Sequence, residues 1–512
     1  MMTRVLSAAA LICCIAATAT GGLRWLRVAQ REHYLAGSAT RFAGRWWRSS
    51  PVNVVVALAA GVGLVGSFWF RPAALITGVC CIVAPFGLSI RGRTSALAWT
   101  RRLKTVGVVA AGVAGIVVTI GSALGYGPEM AALIALGSCL IIDLALAILD
   151  PLERKASRRF VDQASLRLIR IAPIVVGITG SFGKTSTKNH LVGLIGPDRA
   201  VVPSPRSFNN RAGLALSINE HLADGTQVFI AEMGTYGPGE IAEMCSWCPP
   251  TIAVLTAIGP VHLERFGSLD TTVAAKAEIA ASAACVVVNI DDERLSGLAE
   301  RLALEGKKVV RVASVRRDAD VVITAEATGW AIEIKGVKVG ACPALIGVQP
   351  TNVACALAVA LELGVNQDSA VARVGSLSNV ENRLGVVHAP SGVVIIDDTF
   401  NSNPAGASVA LAALRGIEVT GRRVVVTPGM IEMGARQAIE NEEFARRAAM
   451  VADVVIVVGR TNRASLMRGL TGVSGLVVIE QATRDKAVDW VRASLRQGDA
   501  VLYENDLPDN YP

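Results

Sequence analysis

Two patterns of apolar and polar positions divide the chain. Over the first 150 residues the apolar runs are long and carry almost no charge: Val5–Leu23, Val52–Phe70, Pro72–Ile90, Val106–Tyr126 and Ala131–Leu149. Each is close to the roughly 20 residues that a helix needs to cross about 30 Å of hydrocarbon. The helix is also the open segment that satisfies its own backbone in lipid. Five membrane-spanning helices are therefore expected over residues 1–150. From residue 171 the runs become short, rich in β-branched residues, and alternate with helical stretches. Ile174–Ile178, Gln227–Glu232 and Thr251–Leu255 read as buried strands. Val393–Asp397, Arg423–Pro428, Val454–Gly459, Leu476–Ile479 and Ala500–Tyr503 continue the series, as a βα fold should. The expected fold is a helical membrane domain followed by an α/β part.

Composition agrees with this division. Of 512 residues 52% are hydrophobic and 18% charged, with a mean hydropathy of +0.46. Those values exclude a disordered or fibrous chain and argue against a purely soluble one. The net charge of +8 is unevenly spread. Residues 1–170 hold 19 Lys/Arg and 6 Asp/Glu, a net of +13, and the remaining 342 residues carry −5. A basic chain invites a nucleic-acid reading, but these charges lie between the apolar runs, so no nucleic-acid partner is expected. Arg24, Arg27, Arg31, Arg41, Arg45 and Arg48 follow the first run; Arg91, Arg93, Arg101, Arg102 and Lys104 follow the third; Arg154, Lys155, Arg158 and Arg159 follow the fifth. The alternate loops are nearly free of Lys and Arg. The positive-inside rule then puts the N-terminus outside and residues 151–512 in the cytoplasm, and it favours a retained first helix over a cleaved signal peptide. Trp46, Trp47 and Trp99 fall near the expected interfaces. Asp143 lies within the fifth run. Such a carboxylate is a functional hypothesis, set against a helix–helix hydrogen bond, the reading preferred here. The ten cysteines suggest no disulfide framework. Cys245 and Cys248 form a lone Cys-x-x-Cys without a second pair, a weak zinc signal.

The chemistry begins after the first strand of the α/β part. Thr179-Gly180-Ser181-Phe182-Gly183-Lys184-Thr185-Ser186 is a glycine-rich turn between a strand and a helix. Such a turn closes backbone N–H groups on phosphate oxygens, and the helix N-terminus adds positive potential. Lys184 would neutralise the β/γ-phosphates and Thr185 would ligate Mg²⁺. The strict motif wants glycine where Ile178 stands, but strand, loop and helix come in the required order. The next strand ends at Glu232. Ligands in open α/β sheets sit beyond the carboxyl ends of strands, so Glu232 is placed to hold a metal on ATP. Taken alone, His262 and Lys276 read as a structural histidine and a solvated lysine.

The order of the motifs carries more than any one of them. The phosphate loop, Ala231-Glu232-Met233-Gly234, the segment Gly259 to Ser268, Ala275-Lys276-Ala277-Glu278-Ile279 and Ile396-Asp397-Asp398-Thr399-Phe400-Asn401-Ser402-Asn403-Pro404 resemble, in sequence, the Mur ligase family, and within it the MurF type. The resemblance covers roughly residues 171–500. It implies an ATP-dependent acid–amino acid ligase of cell-wall synthesis, in which ATP phosphorylates a carboxylate and an amine attacks the acyl phosphate. It divides the chain into a transmembrane domain (1–150), a basic linker (151–170), a central ATP-binding domain (171–384) and a Rossmann-like C-terminal domain (385–512).

The resemblance also implies roles. Thr179, Gly180, Ser181, Gly183, Lys184, Thr185 and Ser186 would cradle ATP, with Asn289 near the adenine and Asn352, Arg383 and Asp398 completing the nucleotide site. Thr185 and Glu232 would hold one Mg²⁺ and His262 would help hold a second. Lys276 matches the lysine that the family carbamylates, which turns a cation into a metal-binding anion. Asn209, Asn210, Asn401 and Asn403 would face the substrates. The implied partners are the lipid bilayer, a carboxylate acceptor (muropeptide or lipid-linked) and an amino acid or dipeptide amine. Three departures bear on the substrates. Val348-Gln349-Pro350-Thr351-Asn352 keeps only the last residue of the family segment. Apolar helices stand where a UDP-binding domain is usual. Leu502 to Pro508 stands where a Lys-Gly-Ser-Arg run is usual. A poly-γ-glutamate-synthase-like ligase and a membrane NTPase powering transport are the alternative readings.

Overall fold

The structure, a computed structural model, describes residues 2–90, 97–205, 208–326, 328–345, 347–377, 384–399, 402–508 and 511. It divides into two compact units, one of residues 1–156 with 507–512 and one of residues 157–506.

The first unit is helical. Its helices are Met2–Arg31, Ser38–Trp47, Pro51–Ser67, Ala74–Val83, Arg101–Ala123, Gly127–Leu136 and the opening turns of Ser138–Ile171. Their starts follow local chemistry: Ser50 Oγ accepts from Asn53 N ahead of Pro51, and Thr100 Oγ1 accepts from Leu103 N. Five uninterrupted spans are not what forms. The third apolar run yields a ten-residue helix that stops at Val83, just before Ala84-Pro85, because proline has no N–H to continue it. The fifth run breaks at Gly137, where two helices meet at 76°. Among the described residues two helices, Met2–Arg31 and Arg101–Ala123, are long and apolar enough to cross a membrane, or up to four spans if each of two bent pairs counts as one.

Two buried charges in this unit cap helices. Asp143 accepts from Ala39 N (3.1 Å), Thr40 N (2.8 Å) and Thr40 Oγ1 (2.5 Å), the first turn of Ser38–Trp47. That is the helix–helix hydrogen bond preferred from sequence. Arg24 donates to the carbonyls of Cys81, Ile82 and Ala84, closing the C-terminus of Ala74–Val83. The expected basic linker is helical: residues 151–170 continue the helix Ser138–Ile171, with Pro151 inside it.

The second unit holds two sheets. The larger is built from β1 (Ile174–Thr179), β2 (Val201–Pro203), β3 (Val228–Glu232), β4 (Ile252–Leu255), β5 (Cys285–Asn289), β6 (Lys308–Ala313), β7 (Val321–Glu326), β8 (Gly329–Ile334) and β9 (Val337–Cys342). Its order is β2-β3-β1-β4-β5-β6-β7-β8-β9. The strands are parallel up to β7, and β7-β8-β9 is an antiparallel meander. The central strands read as unbroken apolar runs because both faces are covered. Val175, Phe229, Ala231 and Leu255 enter one core, which also takes Val161, Ala164 and Leu168 from the end of Ser138–Ile171. Val176, Ile178, Ile230 and Val254 enter the other, under the helices Lys184–Ile195 and Pro350–Glu362.

The second sheet comprises β10 (Gly385–His388), β11 (Val394–Asp398), β12 (Arg423–Thr427), β13 (Val454–Val458), β14 (Val477–Gln481) and β15 (Ala500–Glu504), ordered β10-β11-β15-β12-β13-β14. Only β10 runs antiparallel. The strands expected from the apolar runs are all present here.

Candidate active site

β1 ends in the phosphate loop. Gly180 (φ +156°) and Gly183 (φ +87°) adopt backbone conformations that favour glycine, and a Cβ would lie 2.0 Å from Thr256 Oγ1 at the first and 2.4 Å from Asn352 Oδ1 at the second. Ser181 N donates to Ala257 O (2.7 Å) and Thr256 Oγ1 donates to Phe182 O (2.6 Å), so the end of β4 braces the loop. The helix Lys184–Ile195 starts directly from Gly183, and Ser186 lies in its first turn. Lys184 Nζ donates back to the carbonyls of Gly180 (2.7 Å) and Ser181 (3.4 Å). Thr179 Oγ1, at the root of the loop, is buried without a hydrogen-bond partner among the described residues.

β3, next to β1, brings Glu232 to the same level; Ile178 is its register partner. Its carboxylate is 1% exposed and fully engaged. Oε2 accepts from Thr185 Oγ1 (2.9 Å) and from Lys188 Nζ (3.1 Å), and Oε1 from Asn209 Nδ2 (3.2 Å). Lys188 also donates to Ser204 O (2.8 Å). Lys188 stands one turn after Lys184. Sequence reading passed it over, although a second lysine on the buried face of that helix needs a counter-charge.

Gly180, Ser181, Lys184, Asn209, Asn210, Tyr236, His262 and Lys276 line one cleft of about 50 Å³. Lys276 is 4% exposed, and its amine is pushed well below the ordinary lysine range, first by burial and then by the charge of Lys184. That contradicts the solvated lysine that position 276 suggested when read alone. His262 sits edge-on to Tyr236 (centroids 4.9 Å apart), whose ring also carries the Arg265 guanidinium at 4.5 Å. His262 Nδ1 meets Glu432 Oε2 from the C-terminal domain. Tyr236, Arg265 and Glu432 were not foreseen. Tyr236 carries no motif of its own, Arg265 lies in the Gly259 to Ser268 segment without a role assigned to it there, and the Glu432 pairing is non-local.

The remaining expected residues separate. Asn210 Oδ1 caps the helix Arg211–His221 through Gly213 N (2.9 Å), and Asn403 Oδ1 caps Pro404–Gly416 through Gly406 N (2.9 Å), so both carry structural duties. Asn289 ends β5 and donates to Thr256 O (2.8 Å), while Asn352 packs against Gly183. Asp398 ends β11 in the second sheet, in register with Glu504. Glu504 is fully buried, and burial pushes its carboxyl up to about 7 against the hydroxyls of Ser402 and Thr427. Arg383 and Asn401 lie outside the described residues.

Among the described residues no three His, Cys, Asp or Glu side chains cluster as a metal cage. Mg²⁺ does not require one. It is held by one or two carboxylates together with substrate phosphates and water. The Thr185–Glu232 couple offers oxygen donors of that kind, His262 adds a nitrogen donor, and the downward shift of Lys276 lessens its repulsion of a cation. The residues present therefore fit Mg²⁺ and a polyphosphate.

Loop, sheet and cleft define the class: a phosphate-loop α/β protein with a second α/β domain. Residues 178–360 match the Mur ligase middle domain, and residues 382–503 match the Mur ligase glutamate ligase domain. A UDP-N-acetylmuramoyl-tripeptide–D-alanyl-D-alanine ligase of Mycobacterium leprae is 30% identical over 367 residues, 64% of this chain and 70% of that protein. The protein of the same description from Mycobacterium tuberculosis H37Rv is 32% identical over 350 residues, 64% of this chain and 66% of its own length. The chain thus spans about two thirds of such relatives. The crystal structure of MurF ligase from Thermotoga maritima in complex with ADP superposes with a TM-score of 0.59 at 27% identity, covering 68% of this chain and 80% of that one. The chain belongs to the Mur ligase family.

Proposed function

We propose that this is a membrane-anchored, ATP-dependent acid–amino acid ligase of the MurF kind, which joins a carboxylate to an amine through an acyl phosphate in cell-wall precursor synthesis. One observation carries the reading: Lys184, His262 and Lys276 line a single cleft beside the Thr185–Glu232 couple. The loop amides and Lys184 bind and orient the γ-phosphate of ATP, the co-substrate. Thr185 and Glu232 would hold one Mg²⁺, and His262 with Lys276 a second. Bound Mg²⁺ would supply neutralisation of the phosphate oxygens during transfer to the carboxylate. Lys188 pairs with Glu232, so the buried carboxylate has a counter-charge. Burial and Lys184 shift Lys276 towards the neutral amine, the form whose lone pair carbamylation by CO₂ requires. The amine enters from the side of the C-terminal domain, where Asp398 and Glu504 end adjacent strands of the second sheet. The acceptor is a muropeptide or a lipid-linked carboxylate, and the amine is an amino acid or dipeptide.

The helical unit supplies the anchor. Ile12, Leu58, Val62, Val108, Ile116 and Ile120 are exposed on its helices, a surface suited to lipid. Gln30 Nε2 bonds Ala98 O and Arg102 pairs with Glu153, so the arginine-rich segments gather at one end, while the Arg71–Glu129 pair joins the alternate loops. This arrangement supports an outside N-terminus and a cytoplasmic catalytic part.

The test is phosphate release by the purified full chain. Release should require a muropeptide or lipid-linked carboxylate together with an amine such as D-Ala-D-Ala, and Lys276→Ala should lower it by about 10²-fold or more, the scale of losing a group that stabilises transferring charge. Undiminished turnover in Lys276→Ala would sink the ligase mechanism, and no stimulation by any muropeptide would sink its cell-wall version.

A further inference from the structure

The His262–Glu432 contact joins the two α/β domains, and its backbone is unusual on both sides. His262 (φ +57°) and Glu432 (φ +64°) are both non-glycine residues in the left-handed region. That conformation is sparsely populated and persists where the surroundings fix it. Here the surroundings do so twice. Tyr236 packs edge-on against the imidazole, and Gly434, two residues after Glu432, brings its backbone to the Leu263–Glu264 peptide, such that a Cβ on it would lie 3.5 Å from Glu264 N. The carboxylate meets Nδ1, and the same imidazole lines the cleft with Lys184 and Lys276. A carboxylate on Nδ1 fixes the proton there and leaves the lone pair on Nε2, the arrangement by which a ligand histidine is aimed and made more basic.

We infer that Glu432 is a positioning residue: from the C-terminal domain it sets the tautomer and direction of His262, so that this cation ligand is complete only while the two domains are in contact. The inference rests on the ligand role given to His262 above. It makes the affinity for the cation a measure of contact between the two domains.

The test uses the full chain in detergent micelles. The chain has five histidines, so ¹⁵N-histidine labelling gives a tractable spectrum, with the His262 signals assigned by Histidine-to-asparagine replacement at that position (H262N). Wild type should show His262 protonated on Nδ1. Glu432→Ala should move the proton to Nε2, whereas Glu432→Gln, which keeps an acceptor, should retain the wild-type pattern. Binding of Mn²⁺ in the presence of ADP, read by electron paramagnetic resonance, should weaken roughly 10- to 100-fold in Glu432→Ala, and less in Glu432→Gln. Glu443→Ala, on the helix Gln437–Ala449, should change neither. An unchanged tautomer in Glu432→Ala overturns the inference, and so does unchanged Mn²⁺ binding there while H262N binds weakly. If H262N itself binds Mn²⁺ as wild type does, the ligand role of His262 falls and takes this inference with it. Should Glu432→Ala not fold, Glu432→Gln and Glu432→Leu carry the same comparison, the first retaining and the second losing the Nδ1 signature.

Discussion

At the scale of single residues, Lys276 shows how the same side chain reads differently alone and in place. Its neighbours in sequence suggest an exposed helical lysine, yet it is 4% exposed and held towards the neutral form by burial and by Lys184. In the unfolded chain it regains its ordinary value. Between the lowered folded value and the ordinary one, the unfolded state holds a proton that the folded state lacks, so stability rises with pH across that window. Lys276→Met removes the penalty. It should raise the thermal midpoint at pH 7 by roughly 2–4 °C while abolishing turnover, and the gain should shrink as pH approaches 10. Melting curves of both proteins from pH 6 to 10 check this, and a gain that stays constant with pH would refute the burial argument. The loop residues 179–186 were legible from sequence because glycine, lysine and threonine act there through local backbone geometry. Lys188 and Glu432 were not, because what makes them matter is a partner 44 residues away in one case and 170 in the other.

At the scale of elements, the strands of both sheets were legible wherever burial on two faces produced continuous apolar runs, as in β1, β3, β13 and β15. The meander β7-β8-β9 went unread. Its outer strand is half exposed, with the pattern Val337 and Lys338 out, so it lacks the dense apolar signal of the parallel strands. Helix ends were harder still. Asn210 and Asn403 carried a substrate reading and also act as caps, since an asparagine before a helix start has a use whatever the site needs, and Asn210 still lines the cleft. Asp143 likewise closes a helix start from a different helix. Asp143→Asn keeps one acceptor and loses the charge, so it should destabilise the helical unit by about 0.5–2 kcal/mol and leave phosphate release at the wild-type rate. Thermal unfolding and turnover measured on the same preparation check it. Lost turnover with an unchanged midpoint would instead return Asp143 to a transport role.

At the scale of the whole chain, the change from long to short apolar runs marked the passage from helices to sheets, and the ordered motifs marked the family. The number of spans was not legible, because apolar length does not reveal where proline or glycine will interrupt a helix, as they do after Val83 and at Gly137. The anchor reading predicts that the full chain stays in the membrane pellet through washes with high salt and alkaline carbonate, and that detergent releases it. Recovery in the carbonate supernatant would mean that the exposed apolar faces of the first unit are covered by something other than lipid.

The grip of Lys184 on its own loop has a consequence for selectivity. The ammonium already donates to two carbonyls, so an arriving anion must displace them, and that cost offsets part of the charge-assisted attraction it gains. A small ion such as sulfate or free phosphate gains only the remainder. A chain of phosphates recruits the amides, the hydroxyl of Thr185 and the helix start together, and so comes out ahead. On the reading proposed above, the loop would thereby select for a polyphosphate over a single small anion before any base is recognised.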